Sequence, residues 1–210
     1  MNIKDIIKTA SLIVIDVQND FCPGGSLAIQ DGDKIVDTIN RIAPSFRYTA
    51  ATKDWHPAGH ISFASSHPGK KPFDTALAGS ITQTVWPDHC VQGTSGAEFH
   101  PRLSTHAFSV ILHKGRNPQL DSYSAFFEND RITPTGLEFL LRGQKIHQVF
   151  LCGLATDVCV FYTAQDAVRL GFDTYLVEDA SKGVTEESTQ KALLDLKAAG
   201  VITVASKEML

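Results

Sequence analysis

The sequence lacks the features of secreted, membrane-embedded and nucleic-acid-binding proteins. Its 210 residues include only four cysteines, and positions 22, 90, 152 and 159 show no disulfide framework spacing. No apolar run approaches the roughly 20 residues of a membrane helix, and residues 1–8 lack the apolar core of a signal peptide. The net charge of −4 offers no basic field to a phosphate backbone or an anionic membrane. We therefore expect a cytoplasmic protein with reduced thiols that binds neither nucleic acid nor membrane.

Glycine and proline are also too scarce for a low-complexity chain, at 15 and 9 residues. Hydrophobic residues make up 43% and charged residues 20%, close to the averages of soluble globular proteins. A chain of this length can bury a core of its own, and a second full domain is not expected. We predict a single domain over residues 1–210.

Short apolar, β-branched runs alternate with amphipathic segments along most of the chain. Strands are predicted over 12–16, 48–54, 109–114, 148–153, 174–178 and 201–205. Helices are predicted over 33–42, 135–142, 157–170 and 186–199, the second opening with a capping box of Thr135 and Glu138. This alternation predicts an α/β fold, a three-layer α/β/α sandwich with a mostly parallel central sheet.

One long segment, at about 55–108, departs from the alternation. It is rich in His, Pro, Gly and Ser and shows no clear periodicity. Irregular segments of that length are uncommon in compact domains and are usually functional. We expect an irregular, metal-binding insert here.

Polar residues follow several of the predicted strands. Asp16, Asp54 and Lys114 end the first three, and the fourth leads into the loop that holds Cys159. Because ligands of open parallel sheets bind beyond the carboxyl ends of the strands, we expect these side chains to share one site. Asp16 is then the base for a nucleophilic thiol, while Lys114 keeps Asp16 ionised and stabilises negative charge in the transition state.

The four cysteines are not equivalent in this interpretation. A free cysteine is most often a small buried hydrophobe, which is the role expected for Cys90 and Cys152. Cys159 differs because Thr156 is a candidate N-cap, which places the thiol in the first turn of the next helix. Free N–H groups and the positive end of the helix dipole favour a thiolate there. We therefore predict that Cys159 is the reactive thiol.

Histidines in the insert suggest a metal site. Asp54 and His56 are separated by one residue on a segment expected to be extended, so their side chains point to the same face. His60, His67 and His89 are candidates for a third ligand: His89 lies in a loop bounded by Pro and Gly, whereas His67 precedes a proline among serines and suits a solvated loop. Two imidazoles and a carboxylate suit one divalent ion such as Zn²⁺, Fe²⁺ or Mn²⁺. The alternative is that these are surface or capping histidines.

Six motifs in a fixed order resemble those of the nicotinamidases, which belong to the isochorismatase-like cysteine hydrolases. They span about 12–179 and are Asp16-Val-Gln-Asn-Asp-Phe21, Asp54-Trp-His-Pro-x-x-His60-x-Ser-Phe63, Trp86-Pro-x-His89-Cys-Val-Gln-Gly-Thr94, His113-Lys114-Gly115, Asp121-Ser-Tyr-Ser-Ala-Phe126 and Gly153-Leu-Ala-Thr-Asp-Val-Cys159-Val160.

The resemblance implies deamidation of nicotinamide to nicotinate and ammonia in the salvage of NAD, with pyrazinamide as a second substrate. It also implies a role for each matching residue. The catalytic residues are Asp16, Lys114 and Cys159. The metal ligands are Asp54, His56 and His89. The residues that line the aromatic substrate pocket are Phe21, Trp86 and Tyr123. The amides of Ala155 and Cys159 form the oxyanion hole, and the Leu154–Ala155 peptide bond is cis. Relatives differ over whether the His60 position reaches the metal directly or through water, and we place it behind the ligands.

Three rival interpretations stay open at this stage. A related cysteine amidohydrolase of the carbamoylsarcosine or ureidoacrylate type keeps the catalytic residues but has no need of a metal to hold an aromatic nitrogen. Isochorismate hydrolysis is disfavoured because glycine fills the position of Cys159 in those enzymes. A non-catalytic scaffold would use the metal only to hold the insert. The sequence does not identify the metal or the range of carboxamides accepted. It also does not distinguish a monomer from a homo-oligomer.

Overall fold

A six-stranded, fully parallel sheet forms the centre of the computed structural model, which describes residues 2–210. Its spatial order is β5-β2-β1-β6-β7-β8. The strands are β1 Ser11–Ile15, β2 Tyr48–Asp54, β5 Val110–Lys114, β6 Gln148–Leu154, β7 Asp173–Lys182 and β8 Ile202–Val204. The predicted parallel sheet is confirmed, and β7 is longer than predicted.

Helices cover both faces of the sheet, which confirms the three-layer sandwich. They are α1 Ile3–Ile6, α2 Val36–Ile42, α3 Leu137–Gly143, α4 Cys159–Arg169 and α5 Glu186–Ala198. Side chains of β1 alternate between the faces: Leu12 and Val14 join the core under α1 and α2, whereas Ile13 and Ile15 join the core under α3, α4 and α5. A strand buried on both faces is apolar at successive positions, as β1 is.

The insert is less irregular than predicted. It contains an antiparallel hairpin of β3, Thr75–Ala78, and β4, Ile81–Thr84, with Thr75 opposite Thr84. Four-residue strands that carry several threonines give only a weak alternation signal, so the pattern was too short to predict them. The rest of the insert consists of turns and short 3₁₀ helices.

Two predicted helix starts are wrong. The Thr135 capping box does not form, because α3 begins at Leu137 after Gly136, and the Thr135 hydroxyl donates instead to the Ala125 carbonyl (2.5 Å). Thr156 does not cap α4, which begins at Cys159 without a side-chain cap; the Thr156 amide donates to the end of β7. The Thr135 hydroxyl still accepts from the Leu137 amide (3.3 Å), whereas Thr156 is held by its backbone contact with β7 and makes no cap.

The chain order places a crevice between β1 and β6. From β1 the sheet grows one way through β2 and β5, and from β6 it grows the other way through β7 and β8. A reversal of this kind opens a crevice at the carboxyl ends of the two central strands, which is where ligands bind in such sheets. Asp16 and the loop of residues 155–158 therefore face each other. Within residues 2–210, no helix combines the length and apolarity needed to cross a membrane.

Candidate active site

Asp16 lies at the crevice, immediately after β1, with its side chain fully buried. Its backbone is left-handed, with φ of 50°, which is rare for a residue other than glycine. One carboxylate oxygen accepts from the Thr52 hydroxyl (2.7 Å) and the other lies 2.9 Å from Nζ of Lys114. Burial raises the pKa of Asp16, and the positive charge of Lys114 opposes that rise only in part.

Lys114, at the end of β5, connects the polar groups of the site. Its buried Nζ contacts carboxylate oxygens of both Asp16 and Asp54, donates to the Ser122 carbonyl (2.9 Å) and lies 3.6 Å from Sγ of Cys159. Burial alone would lower the pKa of Lys114, but the two carboxylates raise it well above its ordinary value. Lys114 is therefore a fixed positive charge at neutral pH.

Cys159 is the first residue of α4 and is buried. Its Sγ lies within 4.8 Å of a carboxylate oxygen of Asp16. Burial raises the pKa of the thiol well above its usual value, while Lys114 lowers it and Asp16 raises it further. Burial is the largest cause of this shift, so the position at the start of α4 does not make the resting thiol a thiolate. The resting thiol keeps its proton until a base removes it.

Two backbone amides next to this thiol are free to donate. Within residues 2–210, neither the Ala155 nor the Cys159 amide has a hydrogen-bond acceptor. The Leu154–Ala155 peptide bond is cis, as the resemblance implied. Free amides beside a nucleophile can hold an oxygen that acquires negative charge.

Asp54, His56 and His89 form a buried donor set that fits a divalent ion. Oδ2 of Asp54 lies 3.7 Å from Nε2 of His56 and 3.8 Å from Nε2 of His89. Nδ1 of His56 donates to the Gly115 carbonyl (2.9 Å), and Nδ1 of His89 donates to the Pro87 carbonyl (2.8 Å). Since each Nδ1 must carry the proton, each Nε2 keeps a lone pair that faces the carboxylate, which is the usual arrangement of imidazole ligands.

His60 lies against this set but has no free nitrogen. Its Nδ1 accepts from the Ser62 hydroxyl (2.7 Å), its Nε2 donates to the Asn117 carbonyl (2.8 Å), and its ring centre lies 4.4 Å from that of His56. His67 is hydrogen-bonded to a backbone carbonyl of its own loop (2.7 Å) and does not join the donor set.

Gln18 supports Asp54, a residue of the donor set, and was not predicted from the sequence. Its buried amide donates to the Asp54 carbonyl (2.7 Å) and accepts from the Asp54 amide (2.8 Å), so both backbone groups of that residue are held. Although burial would raise it, Lys114 and then His56 hold the pKa of Asp54 well below its usual range. The available signal was a polar glutamine three residues after the end of a buried strand.

A pocket of about 100 Å³ lies over these groups. Asp54, His89, Ala155 and Cys159 lie in its wall, together with the three predicted aromatic residues, Phe21, Trp86 and Tyr123. Nε1 of Trp86 donates to the Tyr123 hydroxyl (3.1 Å). Pockets for drug-sized ligands have roughly 300–1,000 Å³, so this one suits a molecule of about one ring.

The pocket wall also contains residues without an assigned role in the sequence. Asp121 and Val158 belong to two of the six motifs, whereas no motif includes Leu27, Ala28, Ile29, Phe73 and Val184.

Comparisons with known proteins identify the family and agree with the fold. The isochorismatase domain matches residues 10–208. A nicotinamidase and pyrazinamidase from Acinetobacter baumanii is 46% identical, with a TM-score of 0.93 over 97% of this chain and 99% of that one. The PnC1 protein of L. infantum, solved with nicotinate, is 40% identical, with a TM-score of 0.85 over 97% and 96%. A pyrazinamidase of Pyrococcus horikoshii, solved with zinc, is 38% identical, with a TM-score of 0.77 over 94% and 99%. The chain therefore belongs to the isochorismatase domain family, within the group that includes the nicotinamidases.

Proposed function

We propose that this protein is a metal-dependent cysteine amidohydrolase that converts nicotinamide to nicotinate and ammonia in NAD salvage. The observation that carries the proposal is that the Cys159 thiol and the donor set share one small pocket with aromatic walls. The relatives named as nicotinamidases, and the one solved with nicotinate, support this substrate class. Pyrazinamide has a ring of the same size and is the expected second substrate. The unpaired state of all four cysteines is in keeping with a cytoplasmic location.

The proposed metal ligands are Asp54, His56 and His89, and Zn²⁺, Fe²⁺ and Mn²⁺ all suit them. When bound, such an ion supplies a Lewis-acid position for the pyridine nitrogen. His60 and Gln18 act as positioning residues, since they contact a ligand and leave no lone pair to the ion. Zinc in the pyrazinamidase of Pyrococcus horikoshii supports the donor set without selecting the metal.

Phe21, Trp86 and Tyr123 hold the ring and exclude water from the carboxamide. The Trp86–Tyr123 hydrogen bond fixes two of these aromatic side chains relative to each other, so the ring enters a preformed slot. A ligand held this way presents its amide carbon to Cys159 without further ordering, which removes an entropic part of the barrier.

In the first half of the reaction, Asp16 takes the thiol proton and the thiolate attacks the amide carbon. The Ala155 and Cys159 amides hold the resulting oxyanion. Asp16 then returns the proton to the leaving nitrogen as the carbon–nitrogen bond breaks, which releases ammonia and leaves a thioester. In the second half, Asp16 removes a proton from water and the hydroxide adds to the thioester. The carbon–sulfur bond then breaks, Asp16 returns its proton to the sulfur, and the acid formed loses its own proton to solvent, which gives nicotinate and the thiol.

Lys114 keeps the charge balanced during these transfers. Its Nζ lies 2.9 Å from Asp16 and 3.6 Å from Sγ of Cys159, so the negative charge passes between two neighbours of the same ammonium group. A negative charge on the Asp16 carboxylate or on Sγ of Cys159 therefore always has Lys114 as a partner. An unpaired charge in this buried site would be costly.

The decisive experiment measures ammonia release from nicotinamide by the wild type and by Cys159→Ala. We expect a loss on the order of 10²-fold or more in kcat, because the nucleophile is removed. Cys152→Ala is the matched control, since this buried thiol lies on β6 within the core and is expected to leave the rate unchanged. Near-normal turnover by Cys159→Ala would falsify the proposal.

Substrate specificity separates this proposal from the carbamoylsarcosine and ureidoacrylate type. Pyridine-3-carboxamide and an aliphatic amide are assayed side by side, with and without a chelator. We expect turnover of the pyridine amide only, and its loss in chelator. Equal or better turnover of the aliphatic amide would favour the rival activity.

A further inference from the structure

A second and larger cavity, of about 460 Å³, adjoins the substrate pocket. Trp86, Tyr123 and Val158 belong to the walls of both, so the hydrogen-bonded pair of Trp86 and Tyr123 forms part of the partition. The outer walls come from β4, from the segment of residues 123–131 and from the start of α4. We call this cavity the outer chamber. The proposed mechanism uses none of its remaining residues.

Glu128 is the group in the outer chamber that lacks a partner. Its Oε2 is buried, and within residues 2–210 it has neither a hydrogen bond nor an ion pair. The pKa of Glu128 is raised to about 7: burial and the negative charges of Asp121 and Asp130 raise it, and the positive charges of Lys114 and Arg116 oppose that rise. An unpaired carboxylate in such surroundings gains more from a cationic partner than an exposed one would.

The other charges of the chamber already have partners. Asp157 accepts from a backbone amide ahead of α5 (3.0 Å). Asp166 lies 3.5 Å from Arg131 and 3.3 Å from Arg169, and Arg131 also covers the ring of Tyr162. Glu128 is therefore the acidic side chain of the chamber whose buried oxygen has neither a hydrogen bond nor an ion pair within residues 2–210.

Four aromatic side chains line the same chamber: Trp86, Tyr123, Phe127 and Tyr162. Arg131 already lies over the ring of Tyr162 and Arg169 over that of Phe127, so within residues 2–210 Trp86 and Tyr123 are the two without a guanidinium over the ring. Aromatic faces next to a carboxylate form a site for organic ammonium ions, since both attract positive charge. The volume also lies in the usual range for organic ligands, roughly 300–1,000 Å³.

We propose that the outer chamber binds a small organic ammonium ion, whose charged nitrogen pairs with Glu128 while its apolar part lies against the aromatic wall. Because the partition separates the two cavities, this ligand binds at the same time as the amide substrate. Binding of an ammonium ion in the outer chamber does not require the proposed activity. Its simultaneous binding with an amide substrate rests on the proposed function.

Calorimetric titration of the full chain with benzylammonium tests the proposal. We expect binding that weakens about tenfold or more in Glu128→Gln, since a charge-assisted contact is lost. Glu187→Gln removes the same charge from an exposed position on α5 and should leave the affinity within about twofold of wild type. Wild-type affinity should rise between about pH 6 and about pH 8, as Glu128 ionises.

Two results would overturn this site. One is no wild-type binding at roughly 10 mM probe, a concentration at which even a very weak site fills; the other is equal affinity in wild type and Glu128→Gln. Saturating nicotinate should leave the benzylammonium titration unchanged, and its abolition by nicotinate would place the probe in the substrate pocket. If benzylammonium binding depends on Glu128 but the protein shows no amidase activity, only the proposed function is contradicted.

Discussion

At the scale of single residues, two aspartates that contact the same lysine ionise differently because their other neighbours differ. Asp54 lies beside His56 as well as Lys114, and its pKa is held well below the usual value. Asp16 has the Thr52 hydroxyl and the negative charge of Asp54 nearby instead of a histidine, so burial and then Asp54 raise its pKa. A carboxylate with a lowered pKa suits a metal ligand, whereas one with a raised pKa suits a base that must hold a proton during the reaction.

Glu128 leads to a prediction about pH and stability. Its pKa rises from an ordinary 4.5 to about 7 on folding, so the folded chain binds more protons than the unfolded chain between these values. Stability from the neutral carboxyl group is therefore present below 4.5 and is lost as the pH rises through about 7. Glu128→Gln keeps the neutral shape at every pH.

We expect Glu128→Gln to raise the free energy of unfolding by about 1 kcal/mol near pH 8, a value reduced because the side chain is partly exposed. Near pH 5 the gain should become much smaller. Urea denaturation of both proteins at the two pH values measures the difference. A gain that is the same at both would show that Glu128 does not titrate in this way.

At the scale of elements, the crevice depends on the close approach of β6 to β1. A Cβ atom on Gly153 would come within 2.1 Å of the Ile15 carbonyl oxygen, and the backbone there has φ of 118°. No other residue type adopts that conformation easily so near a neighbouring backbone. Gly153 therefore allows the loop with Ala155 and Cys159 to reach Asp16.

We predict that Gly153→Ala lowers the free energy of unfolding by about 3 kcal/mol or more, because backbone must move to admit the methyl group. Gly143→Ala is the matched control: nothing lies within 4 Å of its added Cβ at the end of α3, and the change should stabilise by about 0.5–1 kcal/mol. Chemical denaturation of the two variants measures both values. Equal effects would mean that the approach of β6 to β1 is not tight.

The hairpin of β3 and β4 also has a definite place in the site. Gln83 on β4 donates to Asp121 (2.9 Å) and accepts from Asn129 (3.0 Å), which in turn accepts from the Tyr123 amide (2.9 Å). The hairpin is thereby joined to the segment that supplies an aromatic wall. A long insert that looks irregular in sequence thus helps to position the pocket.

At the scale of the whole molecule, metal binding should couple to folding, because the proposed ligands come from two parts of the chain that are distant in sequence. Asp54 ends β2, His56 follows it, and His89 lies in the insert beyond the hairpin. Free metal at about 100 times its Kd adds about 2.7 kcal/mol to stability if only the folded chain binds it. For a chain of this size, that corresponds to roughly 5–11 °C in Tm.

We therefore predict that a chelator lowers the Tm of the metal-loaded protein by that amount, and that excess Zn²⁺, Fe²⁺ or Mn²⁺ restores it. His67→Ala should keep the full shift because His67 lies outside the donor set, whereas His89→Ala should lose most of it. Differential scanning calorimetry measures the shift. An unchanged shift in His89→Ala would remove that residue from the ligand set.

The sequence by itself determined the layered α/β fold, since buried strands and amphipathic helices have periodicities that are local properties of the chain. It also placed Asp16, Asp54 and Lys114 at one edge, because parallel strands end on the same side of a sheet. The short hairpin and the starts of α3 and α4 were not predicted correctly from the sequence, since each depends on contacts with residues distant in sequence.

Only the tertiary structure decided the ionisation of the site and the shape of its cavities. The Cys159 thiol looked activated from its place on a helix, yet burial by surrounding elements raises its pKa. The support of Asp54 by Gln18 and the outer chamber around Glu128 likewise join segments that no motif connects. Desolvation, cavity shape and long-range hydrogen bonds depend on every element packed around a group, whereas strand and helix periodicity depends only on neighbours along the chain.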